Sequence, residues 1–345
     1  MGYNSITMSQ PFDFIAIGDT VTDAFIRLKE ASVHCTVDRE RCEICMRFAD
    51  KIPYESVTVV PAVGNSANAA VAASRLGLSS ALVSNIGDDY FGKECLAALT
   101  GERVDTEFIT AHPGMKTNYH YVLWYEDDRT ILIKHEEYPY RLPDIDDPKW
   151  VYLSSLGENS LAFHGEIEKY FSAHPNVKLA FQPGTYQIKF GKEALAELYQ
   201  RTEIFICNTE EARRILGNDE PDAKELLQKV ATLGPKIVVI TDGTKGAYAL
   251  DGSTSLTTGG TTSWFMPPYP DPKPPLQRTG AGDAFSSTFV VAIARGMSVP
   301  DALRWAPINS MSVVQKIGAR AGLLTEPELK EWLAKAPPDY QPKQM

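Results

Sequence analysis

The sequence predicts an α/β protein, a three-layer sandwich in which helices cover both faces of a mostly parallel central sheet, with a small β-sheet lid. Three observations support this prediction. Short apolar runs alternate with helical segments along most of the chain, which is typical of right-handed βαβ units. Two stretches break the alternation with aromatic-rich segments that read as antiparallel strands. Finally, 43% of the 345 residues are hydrophobic and 23% are charged, as in an ordinary folded protein.

The predicted strands of the central sheet are short and apolar. The first, FDFIAIG, ends at Gly18, as expected for a buried parallel strand. Further strands of this kind are SALVSNIG near Ala81, WVYLSS near Val151, VKLAF near Leu179, EIFICN near Phe205 and KIVVIT near Val238. After Gly246, the segments AYAL, SLTT and TSWFM continue as short antiparallel strands.

The predicted helices lie between and after these strands. Their apolar residues recur at helical spacing, and several end at a glycine. They cover residues 66–76, 91–99, 161–171, 192–199, 210–216, 223–233, 281–294, 300–316 and 326–335. The two stretches that break the alternation, 24–61 and 115–141, are predicted to form the lid; the second contains TNYHYVLWYED and RTILIKHEEY.

Composition excludes some classes of partner. The chain has 34 Lys and Arg against 44 Asp and Glu, a net charge of −10 that opposes binding to nucleic acid or to an anionic membrane. No run reaches the ~18 apolar residues of a membrane span, and the first residues lack the features of a signal peptide. We therefore expect a cytoplasmic protein without a nucleic-acid or membrane partner.

The cysteines do not look like a disulfide framework, since their number, five, is odd and suits a reducing compartment. The segment HCTVDRERCEIC brings together His34, Cys35, Cys42 and Cys45. A zinc site needs four convergent ligands, and adjacent residues seldom both bind one ion. Packed lid thiols are therefore favoured over a metal or redox site.

The histidines outside this segment, such as His120 and His135, form no ligand spacing. They are predicted to be structural.

The stretch RTGAGDAFSSTFVVAIARG carries the strongest chemical signal. A helix is predicted to begin close to Gly280, and small residues at Gly280, Ala281 and Gly282 leave backbone amides uncovered at its positive end. This arrangement predicts an anion hole. Asp283 lies in the first turn, where the helix keeps it ionised and able to accept a proton from a hydroxyl.

A lone GxGD has an ordinary alternative interpretation. It can be a tight turn in which Asp283 is simply a first-turn acid. The other motifs of the chain decide between the two.

TGAGDAF and the N-terminal GNSANAAVAASRLG, in this order and separation, resemble the ribokinase family of carbohydrate and nucleoside kinases, also called the phosphofructokinase B family. The resemblance runs from about residue 12 to residue 324 and implies a ribokinase-like fold. It implies that Asp283 is the catalytic base and that residues 280–282 form the anion hole. We expect one kinase domain at 12–324, followed by a C-terminal helix and tail at 325–345.

The resemblance also implies the residues that bind the acceptor. IGDTVTD resembles the first strand of the family, in which the corresponding acid, here Asp23, binds substrate hydroxyls. GNSANAA resembles the sugar-binding segment and gives Gly64, Asn65 and Asn68, with Asn65 where a second glycine is usual. From residue type alone, Asp23 can instead be a loop acid and Asn68 the start of a helix.

Nucleotide-binding residues follow from two more segments. NTEEARRILG has the NxxE spacing that in this family holds nucleotide phosphates and Mg²⁺, and TDGTKG resembles its nucleotide loop. The NxxE pair also fits a helix cap with a capping-box Glu, and Lys245 fits a solvated side chain. The implied residues are Asn208, Glu211, Thr241, Gly243 and Gly246, with Asn309 near the adenine and Glu211 at the metal.

Two departures from the family limit these expectations. Gln277 and Arg278 stand where Asp-Thr is usual, and since that Asp helps to build a monovalent-cation site, potassium dependence is uncertain. Arg278 can contact a phosphate or pair on the surface. Gln182 replaces an acid in a segment that keto-acid sugar kinases use.

The sequence therefore predicts an ATP-dependent phosphotransferase that moves the γ-phosphoryl group of MgATP to a primary hydroxyl of a sugar, as ribokinases and fructokinases do. A nucleoside kinase is the alternative. A non-catalytic sugar sensor and a dinucleotide-binding oxidoreductase are weaker ones, because the GAGD motif is intact and a third glycine after the first strand is missing. Lids of this family often make dimers, so a homodimer through the lid is possible.

Overall fold

The computed structural model describes residues 10–35, 42–126, 128–252 and 261–345. In that part of the chain, ten strands form a central sheet, four form a second sheet and two form a separate hairpin. In chain order the strands are β1 (Phe14–Ile17), β2 (Val21–Leu28), β3 (Ser32–Cys35), β4 (Cys42–Cys45), β5 (Tyr54–Val63), β6 (Ser80–Gly87), β7 (Ile109–His112), β8 (Tyr119–Tyr125), β9 (Asp128–Leu132), β10 (Trp150–Leu153), β11 (Lys178–Phe181), β12 (Thr202–Asn208), β13 (Ile237–Thr241), β14 (Ala247–Asp251), β15 (Thr262–Met266) and β16 (Lys343–Gln344).

The central sheet has the strand order β16-β15-β14-β13-β12-β11-β10-β1-β6-β7. From β13 to β7 every neighbouring pair is parallel, and β14, β15 and β16 are added antiparallel at one edge. The parallel strands from β13 to β6 are mostly apolar and buried because helices cover both of their faces, whereas the edge strand β7 is partly exposed. Their carboxyl ends meet at one edge of the sheet, where the loops that carry the motifs begin.

The helices are α1 (Asn65–Arg75), α2 (Tyr90–Gly101), α3 (Leu161–Ala173), α4 (Thr185–Phe190), α5 (Ala196–Arg201), α6 (Thr209–Leu216), α7 (Ala223–Ala231), α8 (Ala281–Ala294), α9 (Val299–Val313) and α10 (Glu326–Ala334). They form two layers, each with its own apolar core. Phe14 and Ala16 pack with α1, α2 and α8–α10 on one face of the sheet, and Ile15 and Ile17 pack with α3 and α5–α7 on the other. The predicted three-layer sandwich is confirmed.

The lid sheet has the order β5-β2-β8-β9 and is built largely from the two stretches predicted for it. β2 pairs antiparallel with β5 and parallel with β8, and β8 pairs antiparallel with β9. Phe25 of β2 lies opposite Val122 of β8, and both are buried, whereas Tyr121 on the other face is exposed. One face of the lid sheet therefore packs inward and the other faces solvent.

The prediction of packed lid thiols is wrong for two of the cysteines. β3 and β4 form an exposed antiparallel hairpin in which Cys35 and Cys42 are paired as a disulfide, while Cys45 remains a free thiol. The two cysteines face each other across the ladder, a pairing that only the hairpin register reveals.

The predicted boundaries are close to the observed ones, with a few differences. The helix predicted at 192–199 begins later, at Ala196, and the short helix α4 was missed. The predicted strand SLTT lies outside the described residues. The C-terminal segment is attached to the body, because β16 pairs with β15 and Tyr340 is buried. Among the helices of the described ranges, none is both long and apolar enough to cross a bilayer.

Candidate active site

The start of α8 is shaped by Gly280. This residue adopts φ +82°, and a Cβ on it would lie 2.4 Å from the Cβ of Ala319, so neither the backbone conformation nor the space admits a side chain. The first helical hydrogen bond is made by the amide of Ala284 to the Gly280 carbonyl at 2.9 Å. The amides of Gly282 and Asp283 precede it and point out of the helix end, as an anion hole requires.

Two cavities share this helix start. One, the carboxylate cavity, has a volume of about 290 Å³ and is lined by Asp19, Asp23 and Asp283. The other, the proline cavity, has a volume of about 300 Å³ and is lined by the start of α8 at Ala281 and Gly282 together with a Pro-rich segment. Both volumes are near the lower end of ligand sites. Consecutive residues of one motif thus face two adjoining spaces.

The carboxylate cavity gathers the predicted acceptor residues. Asp23 comes from β2, and Gly64, Asn65 and Asn68 come from the start of α1. Gly64 adopts φ +110°, and a Cβ there would lie 2.7 Å from the Asp19 carbonyl, which explains the glycine. The structure therefore brings all four residues to one space with Asp283.

This cavity concentrates buried polar atoms that lack a partner. Of eight such side-chain atoms in the described ranges, five belong to residues that line it: Asp23 Oδ1, Asn68 Oδ1, His120 Nε2, His135 Nδ1 and Thr279 Oγ1. A buried polar group without a hydrogen bond costs about 1–3 kcal/mol. A cluster of them at one cavity indicates a site that a polar ligand satisfies.

Asp283 is held by two side-chain amides. Asn68 Nδ2 donates to Asp283 Oδ2 at 2.9 Å, and Gln182 Nε2 donates to Oδ1 at 3.3 Å. Burial raises the pKa of Asp283; these two hydrogen bonds oppose that rise, and the charge of Asp23 adds to it. The carboxylate is thus oriented by two fixed donors and is a stronger proton acceptor than an exposed aspartate.

Gln182 is itself fixed by Tyr152, a residue without a sequence motif. The Tyr152 hydroxyl donates to Gln182 Oε1, which turns the amide nitrogen toward Asp283. Burial raises the pKa of Tyr152 well above its ordinary value, so the hydroxyl keeps its proton. Where the family usually has an acid, this chain has an amide that donates to the carboxylate of α8.

The proline cavity gathers part of the predicted nucleotide site. Thr241 ends β13, Gly243 and Gly246 lie in the following loop, and all three line the cavity. A Cβ at Gly246 would lie 2.4 Å from the Met266 carbonyl. Arg278 lines the same cavity and is exposed, while Lys245 points to solvent with 76% of its side chain exposed.

Asn208 and Glu211 begin α6 and form a reciprocal capping box. Asn208 Oδ1 accepts from the Glu211 amide at 2.8 Å, and Glu211 Oε2 accepts from the Asn208 amide at 2.9 Å. Burial raises the pKa of Glu211, and the negative charge of Asp283 raises it further. Glu211 itself lines neither cavity.

Comparison with known proteins identifies the family of the chain. The model of the family described as pfkB family carbohydrate kinase matches residues 34–326, most of the chain. The chain belongs to the pfkB family. It is accordingly an ATP-dependent carbohydrate kinase with a ribokinase-like fold.

Individual relatives are distant. A ribokinase of Bacillus subtilis is 26% identical over 280 residues, which cover 79% of this chain and 87% of the relative. A cytidine kinase of Thermococcus kodakarensis is 29% identical over 267 residues, covering 74% and 88%. The structure of Arabidopsis thaliana ribokinase complexed with ribose and ATP superposes with a TM-score of 0.75 at 20% identity, covering 94% of this chain and 99% of that one. The last comparison concerns the fold alone.

Asn309, which was expected near the adenine, has a side chain engaged inside the protein, although Ser310 and Met311 beside it line the proline cavity. Asn309 is fully buried, with Nδ2 donating to Thr288 Oγ1 at 2.8 Å and Oδ1 accepting from the Leu324 amide at 2.9 Å. Both ends of the amide thus join helix α9 to its neighbours, and Asn309 does not line the proline cavity.

Other residues of the site were missed from the sequence. Asp19 follows β1 after a single residue, Gly18, so its position at the carboxyl end of a parallel strand was a usable signal. His120 and His135 line the carboxylate cavity, although the sequence offered no spacing that would point to them. Their position depends on the pairing of the lid strands.

Glu211 is the acid that the resemblance to the family implies for Mg²⁺, a cation that prefers oxygen ligands. In the described ranges, no three His, Cys, Asp or Glu side chains form a cluster that could hold a metal ion. Mg²⁺ usually binds one or two carboxylates and keeps several waters. Glu211 Oε2 already accepts from the Asn208 amide, so a Mg²⁺ ion at Glu211 would take its remaining ligands from water and from nucleotide phosphates.

Proposed function

We propose that this kinase transfers the γ-phosphoryl group of MgATP to a primary hydroxyl of a sugar, with Asp283 as the base. One observation supports the proposal above the others: the start of α8 adjoins both cavities and presents Asp283 to one and Gly282 to the other. The nucleotide then binds in the proline cavity and the acceptor in the carboxylate cavity. The helix start lies between the two reacting groups.

In this proposal Asp283 orients the acceptor hydroxyl and takes its proton. The hydroxyl oxygen forms a bond to the γ-phosphorus as the bond between that phosphorus and the β–γ bridging oxygen breaks, which leaves ADP. The amides of Gly282 and Asp283 and the positive end of α8 stabilise the charge on the phosphoryl oxygens. Mg²⁺ neutralises phosphate charge when bound, and Glu211 would hold it, partly through water.

The lid sheet would cover the acceptor during transfer. Ile131 and Ile133 line the carboxylate cavity from the lid, and Tyr186 lines it from α4. Apolar groups at this position exclude water, which limits hydrolysis of ATP.

These same apolar side chains favour one alternative acceptor, a nucleoside. A base needs flat apolar surfaces beside a polar ribose site, and Ile131, Ile133 and Tyr186 supply such surfaces. A non-catalytic sensor is a weaker alternative, because Asp283 retains two donors that orient it for proton transfer.

The function is tested by ADP formation with MgATP and a panel of D-ribose, D-fructose, their phosphates, cytidine and adenosine. We expect a neutral sugar to have the highest kcat/KM. A nucleoside with the highest value would establish the alternative acceptor. Tight sugar binding without any turnover would establish the sensor.

Replacement of Gln182 should change the pH dependence of turnover. In Gln182→Leu the carboxylate of Asp283 loses a hydrogen bond that lowers its pKa, so its pKa rises above the wild-type value. The base is then protonated at a higher pH. We expect the acid limb of the profile of kcat/KM against pH to move to higher pH.

The same shift, in smaller degree, is expected for Tyr152→Phe, which leaves Gln182 free to turn. Its hydroxyl is the group that fixes the orientation of the amide. An unchanged acid limb in both variants, with normal folding, would show that Gln182 does not orient the base.

Turnover should not depend on potassium. The buried Gln277 donates through Nε2 to the carbonyls of Thr279 and Lys316, at 3.2 and 2.9 Å, and accepts from the Thr279 amide at 2.5 Å. The Gln277 side chain thus binds the backbone before α8 through three hydrogen bonds, and it has no carboxylate that could bind a cation. We expect less than about a 2-fold change in kcat/KM when K⁺ is replaced by Na⁺ at constant ionic strength; strong activation by K⁺ alone would contradict this.

We also infer a homodimer through the lid, supported by the exposed face of the lid sheet. Val59, Tyr121 and Leu132 lie in register across that face, and all three are exposed. A row of apolar side chains of this kind favours burial against another surface. Sedimentation velocity of the wild type and Tyr121→Lys would test it.

A further inference from the structure

Two lid histidines line the carboxylate cavity, and neither the proposed proton transfer nor the nucleotide site uses them. His120 belongs to β8, and His135 follows β9. Their rings lie 5.3 Å apart between centroids, and both line the cavity. His120 Nε2 and His135 Nδ1 are buried and have no hydrogen-bond partner in the described ranges.

His120 is placed by the pairing of the lid strands. β2 and β8 are parallel, and their register sets Asp23 directly opposite His120. His120 Nδ1 lies 3.4 Å from Asp23 Oδ1, an oxygen that has no hydrogen-bond partner in the described ranges. This couple presents a carboxylate oxygen and an imidazole nitrogen side by side.

His135 forms a second couple with Asp19. Its Nδ1 lies 3.3 Å from Asp19 Oδ2 but makes no hydrogen bond, whereas the Tyr140 hydroxyl donates to the same oxygen at 2.8 Å. The ring of Tyr186 meets His135 edge to face, with centroids 6.1 Å apart. Tyr140 and Tyr186 therefore hold this couple beside the cavity.

The charge of the cavity defines the chemistry of its ligand. It is lined by three carboxylates, those of Asp19, Asp23 and Asp283, and by no Lys or Arg among its described lining residues. Such a cavity repels a phosphorylated acceptor. The Asp23 carboxylate oxygen that lacks a partner needs a hydrogen-bond donor, and the imidazole nitrogens of His120 and His135 need a donor or an acceptor. A hydroxyl group can serve as either.

We propose that His120 and His135 are specificity-determining residues that bind two hydroxyl groups of an uncharged, polyhydroxylated acceptor, other than the hydroxyl that is phosphorylated. This inference rests on the proposed function and identifies how the lid recognises the acceptor. Each histidine acts with its aspartate, so that a hydroxyl donates to the carboxylate and contacts the imidazole. The lid thus contributes to acceptor selection as well as to closure.

The test uses paired substitutions at each histidine, one that removes the polar atoms and one that keeps a polar group. Leu has no polar side-chain atom, and Gln keeps an amide that can donate and accept hydrogen bonds. His120→Leu and His135→Leu should raise the acceptor KM about 10-fold, while His120→Gln and His135→Gln should restore much of it. KM for ATP and kcat should change little.

The acceptor used in this test is the best substrate among D-ribose, D-fructose and cytidine. Deoxy analogues of that acceptor, each lacking one hydroxyl group, are measured beside it. Its affinity is also measured by calorimetry without ATP. In the impaired variants, discrimination between the acceptor and one deoxy analogue should disappear, because the hydroxyl has lost its partner. His174→Gln is the control, since His174 stacks on Tyr170 at the end of α3 and does not line the cavity.

The outcomes separate this inference from the proposed function. Suppose that the wild type phosphorylates an acceptor and that all four variants keep the wild-type KM and the wild-type discrimination against the deoxy analogues. His120 and His135 then do not bind acceptor hydroxyl groups, and only this inference fails. If the wild type binds a sugar without turnover, the calorimetric affinities of the variants decide the inference while the catalytic proposal fails. If no panel member binds or reacts, both fail.

Discussion

Replacing Asp283 by Asn should lower kcat by at least ~100-fold, the usual effect of a positioned general base, while nucleotide binding is retained. The amide has almost the same shape but accepts no proton from the acceptor hydroxyl. Nucleotide binding should persist because the proline cavity is lined by Ala281 and Gly282 rather than by this side chain. The measurements are steady-state ADP formation and calorimetric binding of a non-hydrolysable ATP analogue.

The pH profile gives a second readout of the same variant. Burial raises the pKa of Asp283 above its ordinary value, so the wild-type base is protonated, and turnover is lost, as the pH falls through this raised value. We expect an acid limb of kcat/KM above pH 3.8, the ordinary pKa of Asp. The residual activity of Asp283→Asn should lack this limb.

Asp301→Asn is a matched control. Asp301 is the third residue of α9, as Asp283 is of α8, but it is exposed and its carboxylate bonds to Ser298 Oγ at 2.6 Å. If Asp283 were only a first-turn acid that interacts with its helix, the two variants would behave alike. Comparable, near-wild-type turnover in both would reject the role of base.

The contrast between these acids shows which parts of the site were predictable. The bounds 281–294 of α8 follow from local features, a glycine start, apolar residues at helical spacing and Gly296 after the end, and the structure reproduces them. Local features also specify Asp283, because its motif places the acid in the first turn. Interactions along one segment are enough for such predictions.

Residues brought together by distant segments were less predictable. Gln182 follows β11, Asn68 lies on α1, and both donate to an acid more than 100 residues further along the chain. His120 faces Asp23 only because β2 and β8 pair in one particular register. A shift of one residue would turn His120 to the opposite face of the lid sheet, and no pattern within β8 fixes that register.

Asn309 and Glu211 show a second limit of sequence-based prediction. Both were expected to bind ligands, and both make structural hydrogen bonds. Asn309 joins Thr288 to the Leu324 amide inside the protein. Glu211 caps α6, an interpretation that residue type alone had already favoured, and its proposed metal role depends on its remaining oxygen. A motif thus fixes where a residue lies more reliably than it fixes the bonds that the residue makes.

The second large effect is expected for Gly280→Ala, which should destabilise the fold and displace the catalytic helix start. At φ +82° an L-residue costs roughly 1–2 kcal/mol, and the new Cβ would lie 2.4 Å from the Cβ and 2.6 Å from the Cα of Ala319. Relief of such a clash requires backbone movement, which typically costs ~1–3 kcal/mol more. We therefore expect a lower free energy of unfolding, measured by urea denaturation.

Activity should fall as well, because the backbone that must move carries the proposed base, Asp283, and the amides of the proposed anion hole. A displacement of about 1 Å in a catalytic group can cost ~100-fold in rate. Gly282→Ala is the matched control for stability: it lies two residues along the same motif without a positive φ, and a Cβ there meets nothing within 4 Å. Equal unfolding free energies for the two variants would show that Ala319 can move aside at little cost. The conformation at the start of α8 would then not require a glycine at position 280.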